Sequence, residues 1–207
     1  MPGRDGVDEN KRATLRRFAA VGASAPLLGQ SAASATESDR NEARDAIAGY
    51  LRTTPGAHFS KIRDDLKLGT GETQHHLRTL EDAGRIEAYN DGDYRRYVLA
   101  DRFDDFEKTV LGYLRRETPR GMLIELLRNP DVTASELADT LDVSSPTVSK
   151  YAAELDEQGL LNREDGYELE RPETTLVVVC RHADSFGRAA VSLAREADDL
   201  VVYGGRN

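Results

Sequence analysis

The chain has 207 residues, 39% of them apolar and 6% aromatic, which is enough for one large domain or two small ones with cores of their own. With 37 acidic and 28 basic side chains and a net charge of -9, the chain does not look like a nucleic-acid binder on charge alone. Cys180 is the single cysteine, which excludes an intrachain disulfide and weighs against a cysteine-based zinc site.

Residues 1–40 read as a disordered or signal-like N-terminal segment, with a basic start followed by "RRFAAVGASAPLLGQSAASA". The apolar run from Phe18 to Leu28 is too short to cross a membrane, which takes about 20 apolar residues. Arg16-Arg17 before a short apolar region, with Ala33-Ser34-Ala35 at its end, resembles a twin-arginine export signal. Leu15 stands where that pattern has Ser or Thr, and Ala19-Ala20 where it has larger apolar residues. An exported or tethered segment, a disordered cytoplasmic tail and a misassigned start all stay open.

From Asn41 the pattern is that of a folded domain, residues 41–100. Ala43, Ile47, Tyr50 and Leu51 follow helical spacing, and Pro55-Gly56 ends that helix. A second helix carries Phe59, Ile62 and Leu66; a third, with Thr70 as its cap, has an inward stripe of Thr73, Leu77 and Leu80 and ends at Gly84. The strand-like runs "RIEAY" and "YRRYVLA" follow, joined across Asp91-Gly92, a hairpin signal. Three helices and a hairpin make the winged-helix plan. Next, Phe103, Phe106, Val110, Leu111 and Leu114 predict a connecting helix within 101–117.

Residues 118–171 repeat the plan. Adding 75 maps Ser60 onto Ser135, Ile62 onto Leu137, Leu66 onto Leu141, Leu80 onto Leu155, Gly84 onto Gly159 and Ile86 onto Leu161 without a gap. Thr133 and Glu136 have capping-box spacing, and Ser145 reads as a cap before Pro146. The last stretch, 172–207, predicts a C-terminal helical region with an apolar face of Phe186, Ala189, Ala190, Leu193 and Ala197; by periodicity "TLVVVC" fits a strand as well as a helix. The fold class expected is mainly α with small β-hairpin wings, two tandem winged-helix domains and a C-terminal helical region that supports dimerisation.

The segment "ASELADTLDVSSPTVSKYAAELDEQGLL" resembles the helix-turn-helix of MarR- and ArsR-type winged-helix regulators, and "PGAHFSKIRDDLKLGTGETQHHLRTLEDAGRIEAYNDGDYRRYVL" resembles the winged helix of archaeal transcriptional regulators. The chain as a whole resembles tandem winged-helix regulators of haloarchaea. Its composition agrees: five lysines against 23 arginines, many acidic residues and no tryptophan resemble the proteins of salt-loving archaea. In molar salt the Debye length is about 3 Å, so net negative charge does not keep such a protein off DNA.

That resemblance implies a double-stranded DNA partner met by the third helix of each copy. In the first copy the outward residues are Thr70, Glu72, Gln74, His75 and Arg78; Gln suits adenine, Arg suits guanine, and His can donate to a base edge or a phosphate. In the second copy Ser145, Thr147, Ser149 and Lys150 suit phosphate positioning more than base reading. The first wing offers Arg95 and Arg96 between Tyr94 and Tyr97, whereas the second carries Glu164, Asp165, Glu168 and Glu170. Residues 41–100 hold 9 basic and 10 acidic residues, and residues 101–171 hold 9 and 17, so the first copy is the better DNA candidate.

Other chemistry finds little support. His75 and His76 are adjacent, point about 100° apart on a helix and do not converge on one metal ion. Cys180 with His182 would need a further ligand from elsewhere, and the ordinary reading of Cys180 is a small buried apolar residue. "GTGETQ" lacks the lysine of a phosphate-binding loop, and no nucleophile elbow or metalloprotease motif occurs. The expectation is a cytoplasmic, sequence-specific transcriptional regulator that acts as a homodimer and is neither an enzyme nor a metal or cofactor protein. The alternatives are a winged-helix protein-interaction module and an envelope-associated protein.

Overall fold

The computed structural model describes residues 4–22 and 35–200, with side chains at 9–21 and 40–197. The chain divides into two units between Arg102 and Phe103.

The first unit runs α1 (Arg4–Gly22), α2 (Ala35–Thr53), β1 (Ala57–His58), α3 (Phe59–Asp65), α4 (Thr70–Asp82), β2 (Ile86–Asp91) and β3 (Tyr94–Leu99). Its three strands form an antiparallel sheet in the order β1-β3-β2, with Ala57 opposite Tyr97, Ile86 opposite Leu99 and Asp91 opposite Tyr94. Gly92 takes the positive φ of 56° that the tight reversal between β2 and β3 requires. Ala43, Ile47, Tyr50, Leu51, Ile62, Leu66, Leu77, Leu80 and Ile86 fill one core. Each fully buried Leu or Ile contributes about 1.5–3 kcal/mol to it.

Residues 4–22 of the N-terminal segment form the helix α1 rather than a disordered tail. Lys11, Leu15 and Phe18 recur at helical spacing, Leu15 is 6% exposed within the same core, and the Phe18 ring meets Tyr50 edge-on at 5.4 Å. Arg52 of α2 donates to the Val21 carbonyl at 2.8 Å, and Arg16 lies 3.4 Å from Glu42. A short apolar stripe on an Ala-rich segment thus finds a partner helix, which composition alone does not announce. Residues 23–34, which hold most of the export-signal pattern, lie outside the described residues. No helix among the described residues is long and apolar enough to cross a membrane.

The second unit runs α5 (Asp105–Leu114), α6 (Glu117–Arg128), α7 (Ala134–Thr140), α8 (Ser145–Glu157), β4 (Leu161–Asn162), β5 (Glu168–Leu169), α9 (Pro172–Arg181), α10 (Ala183–Phe186) and α11 (Arg188–Leu200). The predicted connecting helix is α5, which packs on α6 and α9 inside this unit and is closed by a reciprocal cap between Asp104 and Glu107. "TLVVVC" is helix: Pro172 and Glu173 open it, and Thr175, Leu176, Val178 and Val179 are buried while Val177 is 47% exposed, a helical rather than alternating pattern. Among the described residues the C-terminal region holds three helices, because Gly187, at φ 93°, breaks the run between Phe186 and Arg188.

The repeat at an offset of 75 is reproduced in backbone detail. Helices α3 and α7, and α4 and α8, start and end 75 residues apart, as do the starts of β2 and β4. Lys67 and Asp142 hold the turn between paired helices at φ 55° and 52°, and Gly84 and Gly159 end the third helices at φ 62° and 66°. The bonds Leu68 N–H to Arg63 C=O and Arg85 N–H to Leu80 C=O recur as Val143 to Ala138 and Leu160 to Leu155. The copies part at the wing: β2 and β3 have six residues each, β4 and β5 two each.

Candidate nucleic-acid interface

In the first unit α4 is the helix expected to read a duplex. Its cap is Gly69 rather than Thr70: Gly69 is extended, Glu72 Oε2 accepts its N–H at 3.1 Å, and Thr73 Oγ1 donates to its carbonyl at 2.9 Å. Glycine has no side chain to close the helix start, so Glu72 closes it from within the first turn. Thr73, His76, Leu77 and Leu80 face the core, and Thr70, Gln74, His75 and Arg78 are exposed. Gln74 and Arg78, four residues apart, share one outward strip flanked by His75.

Glu72 is corrected as a DNA contact. Lys11 of α1 donates to both of its carboxylate oxygens at 2.9 and 2.8 Å. Partial burial pushes the Glu72 carboxyl up, but the bonds from Lys11 and from the Gly69 amide outweigh it and hold the group below the usual range. This carboxylate is committed to the protein and keeps its charge. Lys11 is the residue the sequence reading missed, although the spacing of Lys11, Leu15 and Phe18 carried a helical signal.

The two histidines separate as helix geometry demands. His75 is exposed, whereas His76 is 3% exposed and its Nδ1 has no hydrogen-bond partner among the described residues. Burial pushes His76 below its ordinary 6.5, only partly opposed by Glu72, so it is neutral at physiological pH.

The arginines of the wing also separate, because adjacent strand residues face opposite ways. Arg95 is exposed and its guanidinium donates to Glu81 of α4 at 2.6 Å. Arg96 is 2% exposed; it donates to Asp91 Oδ2 at 2.5 Å and to the Gly56 carbonyl at 3.0 Å. Arg96 is therefore corrected from a phosphate contact to a buried tie between β3, the end of β2 and the loop before β1. The tyrosines alternate with them: Tyr94, half exposed, lies on the Arg96 face at 5.2 Å, and Tyr97 on the Arg95 face at 5.9 Å.

In the second unit α8 is capped by Ser144, one residue before the expected Ser145. Ser144 Oγ accepts from the Thr147 amide at 3.3 Å and lies 2.8 Å from the Thr147 hydroxyl. Thr147 is thus engaged in the cap, while Ser145, Ser149 and Lys150 are exposed. Lys150 lies 3.7 Å from Glu154 and over the Tyr151 ring. The exposed Glu164, Asp165 and Glu168 of the second wing line a groove with Asp131, an acidic surface that repels phosphate.

Two family models match this arrangement. One, described as an N-terminal HTH domain, matches residues 41–111, and the MarR family matches residues 120–168. The chain carries two winged helices in tandem. It is similar to an uncharacterized HTH-type transcriptional regulator of Methanocaldococcus jannaschii, 28% identical over 127 residues, which are 61% of this chain and 32% of that protein. The tandem winged-helix chain thus spans about a third of the length of that relative. Each matched segment holds a helix-turn-helix pair, α3 with α4 and α7 with α8; the first also holds its wing, and the second ends at Glu168, the first residue of β5.

Proposed function

We propose that this tandem winged-helix protein is a transcriptional regulator that binds double-stranded DNA in a sequence-specific way and reads bases with α4. The observation that carries this reading is the exposed strip of Gln74, His75 and Arg78 on a helix whose opposite face is locked in the core. Side chains with fixed outward positions and bidentate donors are what base edges in a major groove select. Arg95 supplies charge from the wing, and it exchanges Glu81 for a phosphate on binding. The second unit contributes Ser145, Ser149 and Lys150 at most to backbone positioning. In a homodimer two copies of α4 would meet half-sites about 34–36 Å apart or a multiple of it.

Selection of bound sequences from a random duplex pool at high potassium chloride tests this. Enrichment of a motif that is lost on changing Gln74 and Arg78 supports it; a folded protein that enriches nothing overturns it. One observation favours a second reading: the acidic groove of the second wing suits a basic protein surface better than a duplex. Binding that needs no DNA, and survives the Gln74 and Arg78 changes, would favour that interaction-module role.

A further inference from the structure

We infer that α1 is part of the nucleic-acid surface, with Lys11 and Arg12 contacting duplex phosphates beside the bases that α4 reads. The inference rests on the DNA-reading proposal above. Glu72 is the third residue of α4, so the Lys11 ammonium, 2.8 Å from it, stands at the first turn of the reading helix. An ammonium has three N–H donors. Two of them meet the Glu72 oxygens, and with the Lys11 side chain 29% exposed the third has no acceptor among the described residues. Without Lys11, the Glu72 carboxylate would present a bare negative charge where the backbone of a duplex has to run.

The position of α1 is built rather than incidental. Leu15 is buried in the core of the first unit and Phe18 packs on Tyr50, so Lys11 is delivered from a docked helix. Arg12 follows Lys11 and is exposed. Over α1, residues 4–22, the basic residues are Arg4, Lys11, Arg12, Arg16 and Arg17, five against the three acidic residues Asp5, Asp8 and Glu9. Residues 41–100, by contrast, are close to neutral, with 9 basic and 10 acidic residues. The helix therefore adds to the first unit the positive charge that its winged helix lacks, and phosphate contacts of this kind position a protein without reading sequence.

The test uses the full chain, the duplex enriched by selection and an unrelated duplex, with binding followed by fluorescence anisotropy across a potassium chloride series. Arg12→Ala and Lys11→Gln, each checked by circular dichroism for unchanged helicity, are expected to weaken binding to both duplexes by the same factor. Each is also expected to lower the slope of log affinity against log salt by about one. A slope unchanged in both variants overturns the inference while leaving the DNA-reading proposal intact, and so does a loss confined to the enriched duplex. Failure of the unaltered protein to bind either duplex overturns both.

Discussion

Arg96 and Asp91 form a buried ion pair inside the first wing, Nε to Oδ2 at 2.5 Å, with side chains 3% and 11% exposed. Removing one partner of a largely buried pair leaves the other charge poorly compensated, at a cost of about 3–5 kcal/mol. Arg96→Ala is therefore expected to unfold the first unit at clearly lower urea concentration. Its neighbour variant Arg95→Ala, losing an exposed pair with Glu81, should cost at most about 1 kcal/mol. Equal shifts in the two urea curves would contradict the burial of Arg96.

Arg95 is expected to differ from Arg78 in binding. Arg78→Ala should relax preference at one base position by about 1–3 kcal/mol, the worth of a bidentate base contact. Arg95→Ala should weaken all duplexes alike and lower the salt slope by about one. Parallel selections with each variant on one duplex pool separate these outcomes, and the reverse pattern would exchange their roles.

Leu15→Ala is expected to lower the stability of the first unit by about 2–5 kcal/mol, towards the lower end because α1 can leave while the rest of the core stays closed. Limited proteolysis should then cut α1 faster than in the unaltered protein. Unchanged melting and cleavage would mean that α1 contributes nothing to the core.

A pH effect is expected in the second unit. His182 sits against Phe103, and burial, with the nearby charges of Arg181 and Arg115, pushes it down to about 4 from 6.5. The unfolded chain takes up this proton near pH 6.5 and the folded chain only near 4. The stabilisation is therefore complete above pH 6.5 and is lost as pH falls through the window down to about 4. His76, also held low, acts in the same direction in the first unit. Calorimetry between pH 7 and 5, above the range where Asp104 and Glu136 titrate, should show a falling melting temperature. His182→Gln should flatten part of that fall, and a variant as steep as the unaltered chain would remove His182 from the account.

Much of the fold was legible in the sequence because repeats and caps are local. The pairing of Ile62 with Leu137 and of Gly84 with Gly159 was visible from spacing, and the structure adds the matched φ angles of Lys67 and Asp142. The cap positions slipped by one, from Thr70 to Gly69 and from Ser145 to Ser144, since neighbouring residues there compete for one role. Side-chain type makes Arg95 and Arg96 equivalent in the sequence, whereas strand alternation separates them in the structure. Lys11 and Leu15 were passed over because Ala-, Ser- and Gly-rich composition looks like a tail, and only the partner helix α2 shows what their spacing is for.

The matched elbows at Lys67 and Asp142, with the glycine stops at Gly84 and Gly159, make scaffold and reading surface separable parts. The turns and the buried face of each third helix set its angle, so exposed residues such as Gln74 and Arg78 can be exchanged without disturbing the frame beneath them. In this chain one frame presents Gln74, His75 and Arg78 on its third helix, and the other carries Glu164, Asp165 and Glu168 on its wing, so one casting bears two different faces.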